Sequence, residues 1–382
     1  MSVAASLESD ADASAGTGAD ASVDWGLASR VARRVAGRDV LADSYLARSL
    51  EDDFDAVTAE AEVLVGAHTG LVAGTRAVAS VVDRGSWVDA NVASMRRLLG
   101  PLTDRVGERM RSGLLAGVGR TVTGTELGLL LGWFSQRVLG QYDLLVPDDA
   151  DRGLDGAESA EGDAVYYVGA NILAIEKRFA FRPRDFRLWI AIHEVTHRAQ
   201  FLGVPWMRDY FLGLVEGALG GIEPDPRKIV TALLRAAGEI RSGQNPLDDG
   251  GIVAILATPE HRAALAKVQA LMSVLEGHGN RVMNELGSEH VAGQARMARV
   301  LQSRRRTQGL GGLVAKLVGI DSKLRQYEVG EAFVAAVERE AGPRGLDPVW
   351  TGPELLPTVG ELSTPTAWLA RVERGDPAPV PA

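Results

Sequence analysis

The sequence contains no cysteine, and only six of its 382 residues are histidine. The absence of cysteine excludes disulfide bonds and every zinc site built on thiolates. A metal ion bound by this chain must therefore be held by imidazole and carboxylate groups. Because histidine is scarce, a pair of histidines with metal-binding spacing is improbable as a chance match.

Long apolar runs and an excess of basic residues are also lacking. The most apolar segment, Leu127–Phe134, is too short to span a bilayer and is soon followed by Arg137. The N-terminus has no basic region followed by an apolar run, so we expect no signal peptide and a cytoplasmic location. The formal net charge of −9 disfavours nucleic acid or an anionic membrane as an obligate partner.

Residues His193, Glu194 and His197 form an H-E-x-x-H motif, the pattern of zinc metallohydrolases. On a helix, residues four apart lie on one face, so both imidazoles can bind one ion. Glu194 lies about 100° further round the helix, where it can reach a metal-activated water and act as general base. The motif therefore predicts a zinc site with one ion per chain.

A buried helix from about Pro183 to Leu202 is predicted to carry the motif. Its proline suits a first helical turn, and Gly203 and Pro205 follow as stop signals. Apolar residues surround the helix axis, and buried polar groups without partners cost about 1–3 kcal/mol each. A metal ion would supply the partner. The alternative is two core histidines bonded to backbone, with Glu194 paired to Arg198 one turn further on.

A catalytic zinc ion usually has three protein ligands, and two glutamates are candidates for the third. Glu276 and Glu216 each precede a glycine, as in glutamate-type zinc hydrolases. Helical periodicity places Glu276 inward on a helix over Pro259–Leu286, whereas Glu216 faces outward on Trp206–Leu219. We predict Glu276 as the third ligand and retain Glu216 or His278 as alternatives. If no metal is bound, Glu276 would instead pair with an arginine of a neighbouring helix.

Residues beside Glu276 are predicted to support the site. Gly277 and Gly279 each cost about 1 kcal/mol inside a helix relative to alanine, so we expect something to approach closely there. Asn280 stands where an acid often accepts a hydrogen bond from a metal-binding histidine, and its amide oxygen can do the same. The candidate donors to a developing oxyanion are His278, Tyr327 and Arg325. The residues interpreted as packing or supporting groups on the motif helix are Thr196, Gln200 and Phe201.

Helical periodicity dominates the chain, and two short segments before the motif are predicted to be strands, Tyr142–Val146 and Ala164–Gly169. Tyr166–Gly169 is either an edge strand that pairs with an extended peptide substrate or a core strand. The other predicted helices are Val23–Val35, Asp43–Val65, Trp87–Arg111, Thr123–Leu139, Trp206–Leu219, Arg227–Gly238, Pro259–Leu286, Val291–Arg305 and Leu310–Ala341.

These elements predict a mainly α fold with a small β-sheet (α+β), organised as a single domain over 23–372. Residues 1–22 are acidic and almost without large apolar side chains, which predicts a disordered tail. Residues from 342 onward are proline-rich and predicted to be irregular, and 373–382 form a frayed tail. The parts of the domain are a helical N-terminal part (23–140), a small sheet with the metal-binding helix (141–220), and a helical part with the third ligand (221–341).

The residues that carry a family resemblance are Val23–Trp25, Tyr167–Ile172, Arg187–Phe201, Gly203–Trp206, Glu276–His278 and Gln326–Val334. In these segments the chain resembles a large actinobacterial family of zincin-like proteins, and the likeness covers most of the chain from about Val23 to Val372. Members are named as zinc-dependent metalloproteases or hydrolases, and one branch is named for biosynthesis of the deazaflavin coenzyme F(420). The resemblance implies a zincin-like metallohydrolase core embedded in a helical fold.

Motif and resemblance together predict a zinc-dependent metallohydrolase, most simply a metallopeptidase. Zinc held by His193, His197 and Glu276 would activate a water molecule. Glu194 would take the proton, and the water would attack a carbonyl of a peptide or other small substrate. Two alternatives stay open: a zincin-like binding or scaffold protein without turnover, and a non-peptidase accessory hydrolase linked to coenzyme F(420) metabolism. Retention of Glu194 favours an enzyme, because a scaffold has no need of the base.

Overall fold

The computed structural model describes residues 23–39, 44–109, 114–144, 164–220, 259–307 and 320–378. Within these ranges the chain is mainly α with a small three-stranded sheet, as predicted. The predicted tail over 1–22 and the predicted helix Arg227–Gly238 lie outside the described residues. Among the described helices, none is long and apolar enough to cross a membrane.

Thirteen α-helices are present in the described ranges. They are α1 (Trp25–Ala36), α2 (Leu50–Thr69), α3 (Arg84–Arg109), α4 (Leu114–Ser135), α5 (Gly169–Phe179), α6 (Pro183–Leu202), α7 (Met207–Gly220), α8 (Pro259–His290), α9 (Gln294–Thr307), α10 (Ile320–Ala341), α11 (Pro348–Thr351), α12 (Val359–Leu362) and α13 (Pro365–Glu373). A short 3₁₀ helix at Pro353–Leu355 follows α11.

The sheet consists of β1 (Val78–Val82), β2 (Gly140–Tyr142) and β3 (Ala164–Val168), in the spatial order β1-β3-β2. β1 runs parallel to β3, and β2 runs antiparallel to it. Because β3 is the central strand, Tyr166 and its neighbours occupy a core strand, and their alternative interpretation as an edge strand is wrong. Of the three strands, β2 forms the edge that faces the motif helix α6.

The two faces of β3 belong to two apolar clusters, because successive side chains of a strand point to opposite sides. Val165 and Tyr167 pack in the main core, where the Tyr167 ring stacks on Phe54 of α2 with centroids 3.9 Å apart. Val168 packs in a smaller cluster with Trp87 of α3. The sheet therefore lies between α1, α3 and α4 on one side and the helices around α6 on the other.

Helix α6 has the predicted bounds, Pro183–Leu202, and is buried on nearly every face between α2 and α8. Its two buried arginines both pair with carboxylates on other helices. Arg187 lies 2.8 Å from Glu176 of α5. Arg198, which the metal-free interpretation pairs with Glu194, lies 2.8 Å from Glu62 of α2. These ion pairs hold the outer faces of α6 and leave its histidine face directed towards α8.

Helix α8 is held in place by a close crossing with α10. A Cβ atom on Gly277 would lie 2.4 Å from the carbonyl carbon of Gly330, and one on Gly330 would lie 1.9 Å from the Ser273 carbonyl oxygen. Real Cβ atoms do not approach backbone so closely, so both positions require glycine. The predicted close approach at Gly277 is confirmed. The crossing fixes α8 immediately beside Glu276.

Several predicted elements differ from the structure. Strand β1 and helix α5 are not among the predicted elements, and the predicted strand Tyr142–Val146 begins two residues after β2 and shares only Tyr142 with it. Helix α2 begins at Leu50, later than the predicted Asp43, and α4 ends at Ser135, before the predicted Leu139.

The segment after Gly342 is not irregular as predicted, since α11, α12 and α13 lie there. Three of its prolines, Pro348, Pro353 and Pro365, occupy first helical turns, which proline tolerates, so they begin helices and do not prevent them. Trp368 of α13 is fully buried, and its indole Nε1–H donates to the Leu355 carbonyl at 2.9 Å. The C-terminal helices are therefore part of the core.

Candidate metal centre

Three side chains from two helices meet between α6 and α8. His193 and His197 lie one turn apart on α6, and their Nε2 atoms are 3.2 Å from each other. Glu276 of α8 directs its Oε2 atom to within 3.6 Å of the His197 Nε2 and 3.9 Å of the His193 Nε2. All three side chains are between 13 and 19% exposed, so the group is sheltered but accessible.

The separations between these atoms fit a zinc ion. Tetrahedral coordination with bonds of about 2.0–2.2 Å places ligand atoms about 3.3–3.6 Å apart. The observed N···N and N···O separations of 3.2, 3.6 and 3.9 Å lie around that range. Two imidazoles and one carboxylate are a donor set of catalytic zinc sites, in which a fourth position takes water or substrate. The residues present therefore fit the metal that the motif predicts.

Gly279 of α8 makes room for the two imidazole rings. A Cβ atom at this position would lie 3.1 Å from the His197 Cε1 and 3.5 Å from the His193 Cε1. The first distance is tighter than ordinary van der Waals packing and the second is an ordinary contact, so a side chain here would press on the His197 ring and touch the His193 ring. The predicted close approach at Gly279 is confirmed, and what approaches is the histidine pair itself.

Glu194 lies on the side of the motif that faces strand β2. Its side chain is buried, and its carboxylate accepts a hydrogen bond from the backbone N–H of Tyr142. A Cβ atom on Gly140 would lie 2.6 Å from the Glu194 Cγ and 2.7 Å from its Oε1. The contact at Gly140 and the bond from Tyr142 together fix where this carboxylate points. Periodicity alone could not find either residue, since both lie on another element.

Neighbouring charges shift the pKa values of these groups. Burial raises the pKa of Glu194 to about 7, and the Glu276 charge adds to the rise, while His197 and the Tyr142 N–H oppose it. Burial by itself lowers the pKa of His197, but the carboxylates of Glu276 and Glu194 outweigh burial and raise that pKa to about 9. Two carboxylates around two imidazoles therefore favour a positive charge at the centre of the group.

Residues 23–369 match the family of zincin-like metallopeptidases. The chain belongs to this family. The crystal structure of a protein from Chloroflexus aurantiacus, described as a candidate hydrolase with a novel fold, is also similar. It is 30% identical in sequence, with a TM-score of 0.67, over 92% of this chain and 99% of that chain. No curated protein matches the chain.

Membership in the zincin-like metallopeptidase family makes zinc the ion expected at the three-residue group. The structure brings His193, His197 and Glu276 together, with their candidate ligand atoms all within 4.8 Å of one another. It does not bring Glu216 to them, since this residue is exposed on α7. Tyr327 and Arg325 lie on α10, but their side chains fall outside the described residues.

In this zincin-like chain, Gln200 of α6 makes a supporting contact to His197. The Gln200 Oε1 atom lies 2.9 Å from the His197 Nδ1. The Gln200 Nε2 atom donates to the Leu275 carbonyl at 3.0 Å and lies 2.9 Å from the His278 Nδ1. Asn280, for which the supporting role is predicted, is buried one turn beyond Glu276 on α8.

The His278 ring lies close to the zincin motif and packs against an aromatic side chain. It meets the Trp350 ring edge-on, with centroids 4.9 Å apart. Burial, together with the nearby His197 and His68, lowers the pKa of His278 to about 3. His278 is therefore a neutral imidazole that receives the Gln200 amide. These contacts give His278 a place in the support of His197, and its predicted role as an oxyanion donor stays a prediction.

Proposed function

We propose that this chain is a zinc-dependent hydrolase whose substrate is a peptide. One observation carries the proposal: His193, His197 and Glu276 converge from two helices with the separations of a tetrahedral zinc site. Membership in the zincin-like metallopeptidase family supports the class of reaction. The similar Chloroflexus protein, described as a candidate hydrolase, agrees with it.

Each residue of the group has a distinct task in this proposal. His193 and His197 hold zinc through their Nε2 atoms, and Glu276 holds it through a carboxylate oxygen. Bound zinc would lower the pKa of a water molecule towards about 7 and polarise a substrate carbonyl. Glu194 takes the proton of the attacking water and passes it to the leaving amine. The Tyr142 N–H and the close contact with Gly140 hold the Glu194 carboxylate in position for that transfer.

The edge strand β2 supports a peptide as the substrate. The Leu139 carbonyl and the Asp143 N–H both bond to β3. Backbone groups alternate in direction along a strand, so those of Gly140 and Tyr142 face away from β3 and towards Glu194. The Tyr142 N–H is bonded to Glu194, so an extended peptide would pair with the other outward groups of this edge, and its backbone would lie beside the general base. The edge strand that we propose for substrate pairing is therefore β2, and not β3 as one prediction from the sequence had it.

Metal analysis of matched variants tests the ligand set. Purified wild-type protein should contain about one zinc per chain, and Glu276→Gln should lose it. Glu216→Gln is the control, because it removes an equivalent carboxylate from the exposed face of α7. Full zinc retention in Glu276→Gln combined with zinc loss in Glu216→Gln would show that the wrong glutamate was chosen.

Hydrolysis of a peptide library tests the reaction. Wild-type protein should cleave a subset of the library, and Glu194→Gln should keep its zinc but lose turnover, because the neutral amide cannot accept the proton. Unchanged turnover in Glu194→Gln would remove this residue from the role of base. A zinc-loaded wild type that cleaves no peptide would leave the two alternatives, a scaffold without turnover and an accessory hydrolase of deazaflavin coenzyme metabolism. Cytoplasmic location stays a prediction of the sequence.

A further inference from the structure

Gln200 is completely buried and makes three contacts that between them use both ends of its amide. The Leu275 carbonyl oxygen can only accept a hydrogen bond, so the end of Gln200 that faces it must be the NH₂ group. The Gln200 Oε1 atom must then face the His197 Nδ1. The orientation of the amide is therefore fixed by a backbone group that cannot change its own role.

This orientation determines which nitrogen of His197 carries hydrogen. An amide oxygen can only accept, so the His197 Nδ1 must be the donor of the bond to Gln200. In the neutral ring the Nε2 atom then keeps its lone pair, and Nε2 is the atom that lies 3.2 Å from the His193 Nε2 and 3.6 Å from Glu276. The second amide hydrogen goes to the His278 Nδ1, which must accept because an NH₂ group can only donate.

The same side chain also links the two helices that supply ligands. Leu275 directly precedes Glu276 on α8, so the bond from Gln200 to its carbonyl joins α6 to the backbone beside the third ligand. Supporting contacts to metal-binding histidines commonly come from a carboxylate or a carbonyl group, and they orient the ring and select its tautomer. Here an uncharged amide can do this and also join the two ligand helices.

We infer that Gln200 is a positioning residue that fixes the His197 tautomer and ties this histidine to the backbone beside Glu276. The inference rests on the proposed metal site, because it assigns the free Nε2 lone pair to the ion. It adds Gln200 to the supporting residues, and the role of Asn280 stays a prediction. Loss of Gln200 should therefore weaken zinc binding without removing any ligand.

The protonated nitrogen of His197 can be observed directly in the wild-type chain. Long-range ¹H–¹⁵N correlation spectra of the ¹⁵N-labelled, metal-free protein should be recorded at a pH where the shifts of both ring nitrogens show that the His197 ring is neutral. The hydrogen should reside on Nδ1 and exchange slowly with water, since its acceptor Gln200 is buried. A hydrogen on Nε2 would overturn the inference. This measurement needs no variant and no metal.

The zinc affinity of variants shows whether Gln200 positions His197 or only links the two helices. Gln200→Met retains the length of the side chain but cannot form hydrogen bonds, and its zinc affinity should fall roughly 10- to 100-fold. The control is Trp189→Phe, because the Trp189 Nε1–H donates to the Met283 carbonyl at 3.2 Å and also joins α6 to α8. Trp189→Phe should leave zinc affinity unchanged. Equal losses in both variants would reduce Gln200 to an interhelical link and contradict the inference.

Failure of the proposed function and failure of this inference give different results. If the wild type binds no zinc, the proposed metal site is wrong. The metal-free spectrum would still report the His197 tautomer. A wild type that binds zinc, but whose metal-free spectrum shows the His197 hydrogen on Nε2, would preserve the metal site and remove the role of Gln200. Thermal denaturation of Gln200→Met shows whether the variant is folded, and if it is not, the wild-type spectrum decides.

Discussion

At the scale of single residues, the surroundings of Glu194 are set by a strand that lies far earlier in the chain. The carboxylate is held by the Tyr142 N–H and by the absence of a side chain at Gly140. A general base must stay within hydrogen-bonding reach of the proton that it takes, so its position matters as much as its chemistry. Gly140 therefore affects catalysis although it bears no reactive group.

Gly140→Ala should impair hydrolysis while zinc stays bound. The new Cβ atom would lie 2.6 Å from the Glu194 Cγ, and the carboxylate would have to move away from its present position. A displacement of about 1 Å in a catalytic group can cost about 100-fold in rate, so we expect kcat to fall between about 10- and 100-fold. Steady-state kinetics with parallel zinc analysis measures the effect. Gly213→Ala on α7, where a Cβ meets open space, is the control, and equal activity in both variants would contradict the prediction.

At the scale of elements, the third ligand depends on how α8 crosses α10. The crossing is made by backbone against backbone at Gly277, Gly330 and Ser273. Helices come this close only where the side chain is a single hydrogen, and the contact then fixes both the distance and the rotation of the helices. Glu276 directly precedes Gly277, so the rotation of α8 decides whether its carboxylate faces the histidines.

Gly330→Ala should destabilise the fold and weaken zinc binding together. Its Cβ would lie 1.9 Å from the Ser273 carbonyl oxygen, so α8 and α10 would have to separate. Overpacking of this kind costs about 1–3 kcal/mol in the free energy of unfolding. Gly217→Ala should do the opposite: its Cβ meets open space on α7, and alanine favours a helix by about 1 kcal/mol. Denaturant unfolding measures the change in the free energy of unfolding for each variant. A change of the same sign in both variants would contradict the predicted overpacking at Gly330.

At the scale of the whole molecule, the candidate metal site joins the two helices around which the core is assembled. Helix α6 packs against α2 and α8, and α8 packs against α7 and α10. An ion held by His193 and His197 from α6 and by Glu276 from α8 would cross-link the centre of the protein. Metal binding to the folded chain alone must then stabilise the whole domain by mass action.

Zinc should raise the thermal stability of the wild type, and a chelator should reverse the rise. At free zinc of about 100 times Kd, the expected gain is about 2.7 kcal/mol. Differential scanning calorimetry with zinc and then with excess chelator measures the change in Tm. Glu276→Gln should show little response, since it lacks the ligand from α8. A wild-type Tm that is the same with zinc and with chelator would argue against a metal that bridges the helices.

The sequence by itself determined the motif helix and the type of site. His193, Glu194 and His197 have a local spacing that a helix converts into a common face, and Pro183 and Gly203 mark the ends of that helix. The inward direction of Glu276 also followed from local periodicity, because the apolar stripe of α8 defines which side is buried. Each of these inferences depends on residues within one element, where geometry repeats regularly.

Only the tertiary structure decided which residues of different elements touch. It put β3 at the centre of the sheet and β2 at its edge, because strand order is set by packing and leaves no periodic signal. It joined Gln200 of α6 to the Leu275 carbonyl and the His278 ring, because these contacts depend on the approach of α8 to α6. That approach in turn depends on glycines at an interhelical crossing. A glycine in the sequence indicates a close approach but does not identify which residues approach it.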